Sequence, residues 1–203
     1  MEILVEGLGK KFGREWIFRG VDLSFSQGKK YAITGGNGSG KTTLVKTLAG
    51  VIPFTEGKLT YRYQSKSIPL EEIYKLLTIT GPYTELIEEF TLTELLSFYR
   101  NFKPLVQDNH EIINILGFKK SANKLVRDFS SGMKQKLKLA LALYNQDKVL
   151  ILDEPTSNLD HQNIDWYLSH LNQPMNEKLI IICSNQPYEY DFCDEVITLE
   201  KYK

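Results

Sequence analysis

Hydrophobic and polar residues alternate at the start of the chain. Residues 2–6 read as a half-buried strand, and Val21, Leu23 and Phe25 place a second apolar face at period two. Gln27-Gly28-Lys29 reads as a turn into a third strand, Tyr31-Ala32-Ile33. The period then changes. From Lys41 to Ala49 the pattern predicts a helix, with Leu44, Leu48 and Val51 on one face and Val45 widening it. Gly50 stands where helices commonly stop, Pro53 lies just beyond, and Gly57-Lys58 opens another alternating strand, Leu59 to Tyr63.

From about Pro82 to Leu143 the pattern is helical. Thr91-Leu92-Thr93-Glu94 has the form of a helix start, and Leu92, Leu95, Leu96 and Tyr99 follow at helical spacing. Glu111 to Leu116 is a second helix ended by Gly117. Met133, Leu137, Ala140, Leu141 and Tyr144 line one face of a third. Two later runs, Val149-Leu150-Ile151-Leu152 and Leu179-Ile180-Ile181-Ile182, are apolar without a break. Strands read this way when helices cover both faces of a parallel sheet. Ile164, Tyr167, Leu168 and Leu171 mark a helix between them, and Val196 to Leu199 reads as a last strand. The sum is an α/β chain with a helical insert.

Composition narrows the classes. The 203 residues suffice for one large domain or two small lobes, and 42% hydrophobic content supports a true core. Net charge is zero, and no long basic stretch offers a footprint for nucleic acid, so none is expected as a partner. Cys183 and Cys193 form neither a C-x-x-C nor a metal-ligand spacing, and they suit a reducing compartment. Neither a signal peptide nor a run long enough to span a bilayer is expected. Work at a membrane would therefore need another subunit to hold the chain there.

Three stretches carry chemistry. Gly35-Gly36-Asn37-Gly38-Ser39-Gly40-Lys41-Thr42-Thr43 fits G-x-x-x-x-G-K-[ST] between a strand and a helix. Glycines let the backbone approach an anion, successive N–H groups point at it, and the helix N-terminus adds its positive end. Lys41 is assigned to the β- and γ-phosphates and the Thr42 hydroxyl to magnesium. The second stretch is a buried strand that ends in Asp153-Glu154. Ligands bind at that end of open parallel sheets. Asp153 can hold magnesium, and Glu154 can polarise a water for in-line attack on a γ-phosphate. The third, Ser130-Ser131-Gly132-Met133-Lys134, opens a helix. It serves either as a second anion site or as an ordinary N-cap.

In this order the three stretches resemble the nucleotide-binding domain of ABC-type ATPases over almost the whole chain. Phe129-Ser130-Ser131-Gly132-Met133 stands where that family usually has its L-S-G-G-Q signature, and Pro155 to Asp160 resembles its subunit-contact loop, with Asn158 and Asp160 as contacts. The resemblance implies a P-loop fold with a parallel-sheet core, an antiparallel β subdomain and a helical subdomain. Residues 1–81 and 146–203 would form the catalytic lobe and 82–145 the helical lobe of one domain. It also implies ATP and Mg2+ as cofactors, and a head-to-tail homodimer or heterodimer. ATP on Lys41 of one protomer would be capped by Ser130, Ser131, Gly132 and Met133 of the other. Adenine would stack on Phe12, with Trp16 as second candidate.

Two positions depart from the family pattern. Pro82 stands where a Gln is usual after the strand Leu77 to Gly81, and Asn185 where a His is usual. Asn185 can donate a hydrogen bond to a γ-phosphate but carries no charge, and His161 and His170 lie elsewhere as surface or helix-face residues. The expectation is intact ATP binding with slow hydrolysis. Family analogy favours the motor subunit of a membrane transporter, cytoplasmic and held at the membrane by a separate permease. Tyr83, Leu86, Ile87 and Phe90 form either a dock for that permease or lobe packing. The alternative is a soluble ABC ATPase acting on nucleic acid or the ribosome. Neither long coiled-coil insertions nor a second fused nucleotide domain is present to support it. A P-loop phosphotransferase is disfavoured by the Ser130 to Met133 segment. No regulatory C-terminal domain is expected.

Overall fold

The computed structural model describes residues 1–171 and 177–203. The chain opens with β1 (Glu2–Phe12), β2 (Glu15–Ser26), β3 (Lys30–Thr34), α1 (Lys41–Leu48), β4 (Glu56–Tyr63), β5 (Lys66–Ile68) and β6 (Leu77–Thr80). Three helices follow, α2 (Leu92–Arg100), α3 (Asn109–Leu116) and α4 (Ser131–Leu143). It closes with β7 (Val149–Asp153), α5 (His161–Leu171), β8 (Leu179–Cys183) and β9 (Glu195–Thr198), then a 3-10 helix at Leu199–Tyr202.

Contacts divide the described residues into two units. The first holds Met1–Ile79, Asp147–Glu154 and the residues from 177 onward. It contains two sheets. One is antiparallel in its described pairings, in the order β2-β1-β4-β5. The other runs β6-β7-β8-β3-β9, with β7, β8, β3 and β9 parallel. Every residue of β7 and β8 is buried, as their unbroken apolar runs predict. A single core unites the sheets with α1 through Ile3, Phe18, Phe25, Leu44, Leu48 and Ile181. The buried hydroxyl of Tyr61 on β4 donates to the carbonyl of Leu48 at 2.8 Å, which pins the C-terminal end of α1. Val51 is not on the face of α1. The helix stops at Leu48 with Ala49 as C-cap, and Val51 is 58% exposed beyond it.

Gly57 marks a close crossing of β4 over β1. Its φ is +90, and a Cβ there would lie 2.4 Å from the Gly7 carbonyl oxygen and 2.6 Å from Leu8 Cα. The β1–β4 register shifts between Glu6 and Gly9 at this crossing.

The second unit comprises Thr80–Gln146 and, beyond the insert expected from the sequence, residues 155–171. Its own core joins Leu92, Leu96, Ile112, Leu116, Leu137 and Leu141. α2 begins in a capping box. Thr91 Oγ1 accepts from the Glu94 N–H, and Glu94 Oε2 accepts from the Thr91 N–H. The Thr91 N–H, and the Thr91 hydroxyl that also donates to Glu94 Oε2 at 2.8 Å, hold the Glu94 carboxyl below its ordinary pKa. Leu86 and Phe90 pack on this core, whereas Tyr83 and Ile87 are exposed. His170 is no plain surface residue. Its ring lies 4.5 Å from Trp166 and 6.0 Å from Tyr144.

Candidate nucleotide site

β3 lies between β8 and β9 and delivers the chain into the glycine-rich loop. The loop ends at Gly40, the N-cap of α1, which supplies no side-chain cap, so the first N–H groups of the helix are left to other acceptors. Lys41 is only 6% exposed. Its ammonium folds over the loop and donates to the carbonyls of Gly35 at 2.5 Å and Gly36 at 3.2 Å.

The loop meets the end of β7. Thr42 Oγ1 donates to Asp153 Oδ2 at 2.6 Å. Asp153 is 1% exposed, and its other oxygen, Oδ1, is buried with no hydrogen-bond partner among the described residues. Burial raises the Asp153 pKa above its ordinary value. The neighbouring Glu154 pushes the same way, and the Thr42 hydrogen bond, Lys41 and Lys46 push back. A buried, unsatisfied carboxylate oxygen beside a threonine hydroxyl is a hard-oxygen donor set, and it fits a magnesium ion. Glu154 turns away from the strand. Its φ is +46, unusual for a residue with a side chain, and its N–H donates to the Cys183 carbonyl at 2.8 Å. The Glu154 side chain is exposed.

Asn185 reaches the loop as well. Its Nδ2 donates to Asn37 Oδ1 at 3.1 Å. One unit thus brings Lys41, Thr42, Asp153, Glu154 and Asn185 together around the loop. Phe12 stands at the end of β1, 53% exposed, with the Lys10 ammonium 4.7 Å from its ring centre. Trp16 is instead occupied by two cations, Lys11 at 5.4 Å and Arg19 at 4.5 Å.

The serine-bearing stretch belongs to the second unit. Ser130 is the N-cap of α4, and its Oγ accepts from the Met133 N–H at 3.2 Å. Ser131 and Gly132 form the first turn, and a Cβ on Gly132 would come within 3.1 Å of the Asn158 carbonyl oxygen. Asn158 has φ +64, and Asp160 Oδ1 accepts from the Asn163 N–H at 2.9 Å. Two contacts have no signal in the sequence. Gln135 Nε2 donates to the Pro155 carbonyl at 2.8 Å, binding α4 to the 155–160 loop, and Glu200 Oε1 accepts from the Gly36 N–H at 2.5 Å.

The sequence pattern of the family described as ABC transporter matches residues 18–157, well over half of the chain. The chain belongs to this family. Among its relatives is the uncharacterized ABC transporter ATP-binding protein YdbJ of Bacillus subtilis, 28% identical over 202 residues, covering 97% of this chain and 66% of that protein. The lantibiotic transport ATP-binding protein SrtF of Streptococcus pyogenes is 31% identical over 188 residues, covering 89% of this chain and 78% of the relative. The fold is that of a solved structure of the ATP-binding cassette MJ0796, a dimeric post-hydrolysis state bound to ADP and Pi. It superposes with a TM-score of 0.82 at 19% identity and covers 97% of this chain and 93% of the other. The two sheets and the helical unit are those of the P-loop ABC ATPase fold, whose members bind and hydrolyse ATP. Among the described residues, no helix of this ABC domain is long and apolar enough to cross a membrane.

Proposed function

We propose that this ABC domain is the ATP-hydrolysing subunit of a membrane transporter and works as a head-to-tail pair of nucleotide-binding domains, identical or not. One observation carries the reading. The phosphate loop with its carboxylates lies in one unit, and the Ser130-capped helix start, a second place suited to anions, lies in the other. Two half-sites in one chain make sense when each completes the other's mate. The solved structure of MJ0796, a dimer bound to ADP and Pi, supports the pairing of such domains.

In this reading the loop Gly35 to Thr43 cradles the triphosphate with backbone N–H groups, that of Gly36 excepted because it serves Glu200, and Lys41 leaves the loop carbonyls for the β- and γ-phosphates. Thr42 and Asp153 would hold magnesium, which would supply positive charge to the phosphate oxygens. Phe12 stacks on adenine and Asn185 donates to the γ-phosphate. Glu154 accepts a proton from the attacking water as the new oxygen–phosphorus bond forms, and the bond to the bridging oxygen of ADP breaks. Ser130, Ser131, Gly132 and Met133 of one protomer close the site of the other, and Asn158 and Asp160 lie along the same contact. The unit that holds the phosphate loop acts as the catalytic lobe, and the unit that carries α2 to α4, joined by residues 155–171 beyond the 82–145 insert, acts as the helical lobe. The exposed Tyr83 and Ile87 face a separate permease that keeps the domain at the cytoplasmic side of the membrane.

Affinity purification of the tagged chain from detergent-solubilised membranes tests the transporter assignment. Recovery of an integral membrane protein in stoichiometric amount is expected. Recovery with ribosomes or polynucleotide, reversed steeply by salt, would overturn it in favour of a soluble ABC ATPase.

A further inference from the structure

β9 runs parallel to β3 with Thr198 opposite Thr34, so both strands leave the sheet at the same end. β3 enters the phosphate loop there, and β9 enters the 3-10 helix Leu199–Tyr202. Leu199 is fully buried and fixes the position of the next residue, whose side chain lies on the surface. That residue is Glu200.

Its carboxylate meets the loop at one peptide group. The carbonyl of Gly35 and the N–H of Gly36 belong to the same peptide and point in opposite directions across it. The carbonyl accepts from the Lys41 ammonium at 2.5 Å, and the N–H donates to Glu200 Oε1 at 2.5 Å. An ammonium and a carboxylate therefore hold the two ends of one peptide dipole. Gly35 is tightly enclosed. A Cβ there would lie 2.7 Å from Ser39 Oγ and 2.8 Å from Glu200 Oε2, and φ is +151. The Gly36 N–H, the residue's own N–H and the nearby Lys41 charge keep the Glu200 carboxyl below its ordinary pKa, so it stays ionised at neutral pH.

We propose that Glu200 is a positioning residue of the phosphate loop, holding the Gly35–Gly36 peptide plane in the orientation that receives the triphosphate. When Lys41 leaves the Gly35 carbonyl for the phosphates, the Glu200 hydrogen bond remains and keeps the peptide from rotating. The loop is thus ordered before the ligand arrives, which lowers the ordering cost of binding. Glu200 does not touch the reacting atoms. This inference rests on the reading of the loop as the ATP site.

Titration of the full chain with a fluorescent ATP analogue in magnesium, together with ATP turnover, tests it. E200A is expected to raise Kd and KM for nucleotide about fivefold, the scale of one exposed charge-assisted hydrogen bond, and to change kcat less than about twofold. E200Q keeps an acceptor at the same reach and should recover most of the loss, whereas E200D, one methylene short, should resemble E200A. A fold defect would lower the nucleotide-free melting temperature and move kcat as well. E200A binding as tightly as the wild type, or more tightly as a carboxylate competing with phosphate would predict, overturns the proposal. So does E200Q no better than E200A. If E200A does not fold, E200D and E200Q decide the matter by the same comparison. A wild-type chain that binds no nucleotide overturns the reading of the loop and this inference together. Binding that is equal in the wild type and E200A overturns the inference alone.

Discussion

Thr42 and Asp153 stand 111 residues apart in sequence, and the threonine hydroxyl donates to the aspartate Oδ2 at 2.6 Å. This contact fastens the first turn of α1 to the end of β7 and leaves Asp153 Oδ1 buried beside it with no hydrogen-bond partner among the described residues. A divalent cation coordinated by both residues would satisfy that oxygen. Thr42→Val keeps the shape and removes the hydroxyl. It is expected to lower ATP affinity about tenfold or more in magnesium while leaving affinity in EDTA nearly unchanged. Equal losses under both conditions would show that Thr42 acts on the loop and not through the metal.

The pH dependence has a definite sign. Burial raises the Asp153 pKa above its ordinary value of 3.8. A raised carboxyl pKa favours the protonated group in the fold. Its contribution to the stability of the nucleotide-free chain is therefore present below about pH 3.8 and is lost as pH rises through the raised value. Cation binding needs the ionised form, so magnesium-dependent ATP affinity should weaken as pH falls, and at higher pH than an unperturbed aspartate would allow. Calorimetry from pH 7.5 downward, with and without magnesium, checks this. Asp153→Asn should show little magnesium effect at any pH, and it reports the nucleotide's own titration for subtraction.

The parts legible in the sequence are those whose signal is local. The phosphate loop, the two buried strands, the Thr91–Glu94 capping box and the helix ending at Gly117 each follow from neighbouring residues alone. β1 and β2 extend well past their alternating segments, to Phe12 and back to Glu15, because pairing with each other carries them on. Residues 155–171 group with the helical unit through contacts such as Gln135 with Pro155 and Trp166 Nε1 with the Ile115 carbonyl at 3.1 Å. A glutamine inside a helix and a glutamate near the C-terminus carry no pattern that names a partner far off in sequence. The contact of Glu200 with Gly36 is therefore visible only in the folded chain.

Gly57 should be among the most sensitive positions of the antiparallel sheet. Gly57→Ala sets a Cβ 2.4 Å from the Gly7 carbonyl oxygen at φ +90, so β4 must move off β1. A loss of about 3 kcal/mol or more is expected from overpacking and backbone strain together. Gly7→Ala is the control, because its φ is +55 but, its chain neighbours aside, none of the described residues comes within 4 Å of the added Cβ. It should lose only about 1–2 kcal/mol. Urea denaturation of the two variants separates collision from backbone conformation, and equal losses would remove the collision argument.

Glu154→Gln tests the paired arrangement. Glu154 follows directly on Asp153, with its backbone held at φ +46 and its N–H on the Cys183 carbonyl, so glutamine should occupy the same place. Glutamine preserves size and hydrogen bonding but cannot accept a proton from water. Turnover should fall about a hundredfold or more while ATP affinity is kept. If ATP joins the loop of one protomer to the Ser130 helix of its mate, blocking hydrolysis leaves the joint closed. Size-exclusion chromatography of Glu154→Gln should then show a dimer with ATP and magnesium and a monomer with ADP. Adding Ser130→Ala should weaken that dimer without altering ATP affinity of the monomer, since Ser130 lies in the other unit from the loop. A Glu154→Gln chain that binds ATP, fails to hydrolyse it and still elutes as a monomer would rule out a sandwiched nucleotide.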